Sequence, residues 1–157
     1  MQKYTSPSLE ISMDLPDHWH GIENKEFFTQ ELKIAPEQAE STAILLVLVN
    51  NDKVSKYISV THDMEIYADE KSYIEGLKAN RETLVGAGCK IMAEQTFKSK
   101  NGFRVDHMMV QANNVVMSQY YVHINELLLC FATQVTAKGD NDDNVMANIV
   151  FSVNMGK

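Results

Sequence analysis

From residue 89 to residue 136 apolar and polar side chains alternate, with breaks at Lys100-Asn101-Gly102, Asn113-Asn114 and Asn125-Glu126. A period of two suits only a pleated strand, and the residues at the breaks tolerate positive φ. The pattern predicts an antiparallel meander of four strands over residues 89–98, 103–113, 115–124 and 127–136. A one-residue slip would reverse every side chain, so the turns set the register.

A two-residue turn at Asn113-Asn114 pairs Ala112 with Val115 and sets His107 opposite Tyr120. A two-residue turn at Asn125-Glu126 sets Tyr120 opposite Phe131. One face then carries Val105, His107, Ser118, Tyr120, Val122, Leu129 and Phe131 and is mostly apolar. At the first hairpin, a two-residue turn would bring Glu94, Thr96 and Lys98 onto that face. A three-residue loop, Lys100 to Gly102, brings Ile91, Ala93 and Phe97 instead. Burying charge is the costlier choice, so the loop is expected to have three residues, with Gly102 left-handed.

Upstream, Leu9, Ile11, Met13 and Leu15 alternate with polar residues and stop at Pro16-Asp17, as a half-buried strand does. Phe28, Leu32 and Ile34 read as a second strand ending at Pro36. Residues 43–50 form an unbroken apolar run, which suits a central strand covered on both faces. Ile74, Leu77, Leu84 and Val85 share one helical stripe behind an Asp69 N-cap, and Gly86-Ala87-Gly88 ends that helix. A short closing helix is expected after Asp142 or Asp143, through Val145, Ile149 and Val150.

The fold class is therefore α+β: an α/β sandwich with a twisted, mostly antiparallel sheet. A C-terminal four-strand meander, one long central helix and a short C-terminal helix complete it. At 157 residues one domain over 1–157 is expected. The long helix is expected to cover the apolar face bearing Tyr120 and Phe131. Residues 51–69 read as a polar stretch that covers the opposite face or leaves it bare.

Fourteen Lys and Arg against 21 Asp and Glu give a net charge of −7, which disfavours nucleic acid and anionic membrane. No apolar h-region follows Met1, and no apolar run is long enough to span a bilayer. A cytoplasmic protein is expected, or an exported or lipid-anchored one if a leader has been removed. Cys89 and Cys130 read as two ordinary thiols.

No nucleophile motif, P-loop or dinucleotide fingerprint is present. His18 and His20 flank Trp19 without a third ligand nearby, so no metal is expected, and no cofactor. An enzyme would need His18 or His20 beside a carboxylate such as Glu23, Asp63 or Glu65. Residues 140–143 (Asp-Asn-Asp-Asp) resemble the start of a calcium loop but lack its glycine and its closing glutamate.

Two binding surfaces remain. The mixed face carries Arg104, Met108, Met117, Tyr121 and Leu128, whose methionines and aromatic ring suit an adaptable protein partner or a second copy of the chain. On the apolar face Gln95, His107 and Tyr120 form a polar row, either a hydrogen-bonded core network or the wall of a small-ligand pocket.

The opening Leu9-Glu10-Ile11-Ser12-Met13-Asp14-Leu15-Pro16-Asp17-His18-Trp19 resembles the strand, Pro and Trp opening of the PsbP-like group. That group includes DcrB-related proteins and a Ran-binding nuclear import factor. The ending Ile149-Val150-Phe151-Ser152-Val153 is similar to that of the group's last helix. The resemblance implies an α/β sandwich and a non-catalytic binding, assembly or chaperone role. One branch serves as chaperones for secretion effectors; after Trp19 this chain reads His20-Gly21-Ile22-Glu23 where that branch has an acidic-Ser-Asn run.

Overall fold

The computed structural model describes residues 1–7, 9–23, 44–51, 57–62, 65–135 and 143–156. The elements in chain order are β1 (Gln2–Ser6), β2 (Ile11–Leu15), β3 (Trp19–Glu23), β4 (Ile44–Asn50), β5 (Tyr57–His62), α1 (Glu70–Gly86), β6 (Lys90–Lys98), β7 (Arg104–Ala112), β8 (Val115–Ile124), β9 (Leu127–Val135), α2 (Asp143–Phe151) and β10 (Asn154–Met155). A seven-stranded sheet runs β3-β4-β5-β9-β8-β7-β6, and a three-stranded sheet runs β1-β2-β10. All described pairs are antiparallel. The expected α/β sandwich is the fold. The second expected strand, at Phe28, Leu32 and Ile34, lies outside the described residues, as do residues 140–142 of the calcium-like stretch.

The meander has the expected register. His107 pairs with Tyr120, and Tyr120 pairs with Phe131. Gly102 has φ +87, while the Asn125-Glu126 turn takes φ +55 and +59. Ser99 N–H donates to Phe103 O at 2.8 Å, so the first hairpin closes on a three-residue loop. Phe97 pairs with Val105, and Ala93 with Met109, on the expected face; Phe97 is half-buried there and Ala93 exposed. Ile91 departs from the expectation: a bulge between Ile91 and Ala93 pairs it with Val110 and turns it to the other face.

The long helix covers the opposite face of the large sheet from the one expected. The face bearing Val105, Tyr120, Val122, Leu129 and Phe131 packs against Ile11, Met13 and Leu15 of β2, Trp19, and Met146, Ile149 and Val150 of α2. Tyr120 and Phe131 thus point away from α1. The long helix lies on the opposite face, where Tyr73, Leu77 and Leu84 meet Met108, Val110, Tyr121 and Leu128. Both faces are apolar enough to need a cover, and alternation along strands cannot say which cover goes where. Residues 51–69 are not a plain covering stretch, because they contain β5, which joins β4 to β9.

The family-like signatures have local physical roles. Pro16 ends β2, and Trp19 is fully buried at the start of β3. Ser152 Oγ donates to Ile149 O and accepts from Asp14 N–H at 2.8 Å, tying the end of α2 to β2. Leu46, Val47, Leu48 and Val49 are all fully buried, as expected of a strand covered on both faces.

Candidate functional site

The outer face of the large sheet, beneath α1, holds the space and polar groups for a site. Asp69 starts the helix with a capping box: its carboxylate accepts from Ser72 N–H at 2.8 Å, and its own N–H reaches Ser72 Oγ. The Ser72 N–H bond, helped by the Ser72 side chain, holds the carboxyl below its ordinary range. The stripe facing the sheet is Tyr73, Leu77, Asn80 and Leu84; Leu77 and Leu84 lie on it as expected, Ile74 is half-buried beside it, and Val85 is 49% exposed. Tyr73 is fully buried, so its hydroxyl needs a partner inside. It finds one in Asp106, to which it donates at 3.0 Å. Gly76 permits a close approach, since a Cβ there would lie 2.6 Å from the Tyr67 ring.

The helix leaves a hollow on each side. One, of about 300 Å³, lies over β5, β9 and β8 and is lined by Thr61, His62, Asn80, Leu84, Gln119, Tyr121, Leu128 and Cys130. At its floor Asn80 Nδ2 donates to Tyr121 Oη at 2.9 Å, and Tyr121 Oη donates to Gln119 Oε1. Burial raises the Tyr121 hydroxyl well above the ordinary phenol range, so it stays a neutral donor. Burial pushes the Cys130 thiol up to about 12. The thiol is therefore protonated and a poor nucleophile.

The other hollow, about 220 Å³, lies over β7 and β6 and includes Lys78, Arg81, Glu94, Gln95, Arg104, Asp106 and His107 in its wall. Its charges are largely paired internally. Arg81 bonds Glu94 through Nε at 3.0 Å and Nη2 at 2.8 Å. Arg104 grips Asp106 through two nitrogens, at 3.0 and 3.1 Å, and Thr96 Oγ1 donates to Asp106 at 2.7 Å. The Asp106 bond raises the Arg104 pKa further.

The expected protein-facing surface is not an open face. Met108, Tyr121 and Leu128 are 7%, 3% and 5% exposed beneath α1, with Met117 and Arg104 half-buried. Tyr121 and Leu128 instead line the larger hollow. Of the polar row, His107 stacks on Tyr120 at 4.1 Å between ring centroids, but Gln95 is exposed and Tyr120 sits in the inner core. The partner of His107 is Ser118, whose Oγ lies 2.9 Å from Nε2 and donates to Asp143 at the start of α2. Ser118 was legible only as a polar residue on an apolar face, and Asp143 only as a helix start. Burial lowers the His107 pKa, with Asp143 acting the other way, and raises Tyr120 to about 12. On β3, His20 Nδ1 bonds Asn51 Oδ1. Among the described residues no three His, Cys, Asp or Glu gather where they could hold a metal.

No protein-family model matches this sequence, and no curated protein matches it. Solved structures do. The solution structure of the cyanobacterial PsbP (CyanoP) from Synechocystis sp. PCC 6803 superposes with a TM-score of 0.61 at 11% identity, covering 98% of this chain and 91% of that one. The fold is PsbP-like. A crystal structure from Bacteroides thetaiotaomicron VPI-5482 matches with a TM-score of 0.50 at 12% identity; it covers 99% of this chain, which spans 48% of that one. At these identities the likeness carries the architecture and not the role. No helix among the described residues is long and apolar enough to cross a membrane.

Proposed function

We propose that this PsbP-like chain is a non-catalytic binding module that takes a small ligand in the cleft between α1 and the outer face of the sheet. The observation that carries this reading is the 300 Å³ cleft itself, where apolar Leu84 and Leu128 stand beside converging polar groups of Asn80, Gln119 and Tyr121. Clefts of that size and mixture are the usual form of small-molecule sites. The protonated Cys130 thiol favours binding over covalent chemistry. The DcrB-related, nuclear-import and effector-chaperone roles rest on the sequence opening and ending.

The test is an amide-detected NMR screen of the whole chain against a library of charged and uncharged aromatic fragments. Hits should shift resonances of Asn80, Gln119, Tyr121 and Leu128, and Leu84→Trp should abolish them by filling the cleft while the spectrum stays dispersed. Hits that cluster elsewhere, or survive Leu84→Trp, would remove the cleft from consideration.

A further inference from the structure

The next step rests on that ligand-binding reading and names the ligand's chemistry. Tyr121 Oη meets two amide side chains, taking a proton from Asn80 Nδ2 and giving its own to Gln119 Oε1. A phenol has one proton, so one neighbouring amide must donate and the other accept. That takes one of the two Asn80 N–H donors and one of the two lone pairs on Gln119 Oε1. Asn80 Oδ1 and the Gln119 Nε2 hydrogens remain, and among the described residues nothing else bonds them. Turning both amides over exchanges their roles and still leaves one acceptor and one donor.

We propose that the cleft recognises an uncharged carboxamide-type edge, a group carrying one donor beside one acceptor, with its apolar body lying on Leu84 and Leu128. Charge in the wall argues the same way. Among the described residues the cleft lining contains no Asp, Glu, Lys or Arg, whereas the neighbouring hollow has Arg81, Glu94, Arg104 and Asp106. A carboxylate would oppose the acceptor and an ammonium the donor, and apart from the His62 imidazole the described wall holds no group that could offset the desolvation of either charge. Sites built to satisfy a donor and an acceptor together discriminate strongly against groups that leave either one unmatched.

Three probes with one ring separate the cases: benzamide, benzoate and benzylamine, titrated into the whole chain by amide-detected NMR. Benzamide should shift the Asn80 and Gln119 side-chain NH₂ signals and bind about tenfold more tightly than either charged analogue. Gln119→Leu should erase that preference; if that variant loses its dispersed spectrum, Asn80→Ala is the substitute. Equal binding of all three probes, or a preference for benzoate or benzylamine, would overturn the carboxamide assignment and leave a ligand cleft standing. No shift at Asn80 or Gln119 with any probe would overturn the assignment and the cleft reading together.

Discussion

The two faces of the seven-stranded sheet are built to different standards. On the inner face Val105, Val122, Leu129 and Phe131 are all fully buried, and so are Trp19, Ile58 and Val60 further along the sheet. Two covers, the small sheet and α2, close it. On the outer face α1 covers β6 to β9, and Leu77, Leu84, Ile91 and Cys130 remain half-buried beside two hollows. Dense packing leaves no room for a ligand, so stability concentrates on the inner face and binding capacity on the outer one. Polar groups follow the same division. Among the described residues the inner face holds the His107–Ser118–Asp143 chain, whereas the outer face holds the Tyr73–Asp106–Arg104 and Asn80–Tyr121–Gln119 networks.

Truncating one side chain on each face is the strongest way to break this contrast. Phe131→Ala removes a fully buried ring between two covers and should cost about 3–5 kcal/mol. Leu84→Ala, beside an existing hollow, should cost less than about 2 kcal/mol, because fewer contacts are lost and the cavity already exists. Urea unfolding of both variants measures the difference. Equal costs would mean that the outer face is as tightly packed as the inner one.

Much of this division was legible in the sequence, but not its assignment. The turn residues and alternation carried the register to the residue: Asn113-Asn114 and Asn125-Glu126 permit few alternatives once one face must be apolar. Gly102 could be placed because only a three-residue loop spared Glu94 and Lys98 from burial. The bulge at Met92 left no signal, since Met92 is exposed and its insertion merely turns Ile91 from one apolar face to the other. Which cover lies on which face depends on contacts between residues more than 100 apart, such as Asn125 Nδ2 to Glu10 O at 3.0 Å. No local pattern encodes such a contact. The cleft was half visible: Tyr121 and Leu128 stood out as the apolar part of a mixed face, but Asn80 joins them only through the helix that covers that face.

A smaller effect sharpens the outer side of the comparison. Asp69→Ala removes the N-cap of α1 and should cost about 1 kcal/mol. If α1 is a cover rather than part of the main core, the loss should appear as faster hydrogen exchange in α1, with β8 and β9 amides nearly unchanged. Uniform acceleration across the sheet would show that α1 unfolds only with the whole molecule.

The smallest effect probes the polar chain of the inner face through pH. His107 is desolvated, and its pKa lies below the ordinary 6.5, even though Asp143 acts to raise it. The native state therefore resists protonation that the unfolded chain accepts. The stability associated with neutral His107 is fully present above pH 6.5, falls as pH drops through that value, and levels off below the native pKa. In His107→Gln that part of the decline should vanish, so wild type and variant should converge as the solution is acidified. Asp143→Asn should steepen the decline instead, because it removes the carboxylate that favours the imidazolium. Unfolding free energies measured from pH 8 to pH 5 decide it, since the other histidines cancel in the difference. A difference between wild type and His107→Gln that does not change with pH would place His107 in a more solvated setting than a ring stacked on Tyr120 and bonded to a buried Ser118, and would weaken the account of the inner face as the closed side of the sheet.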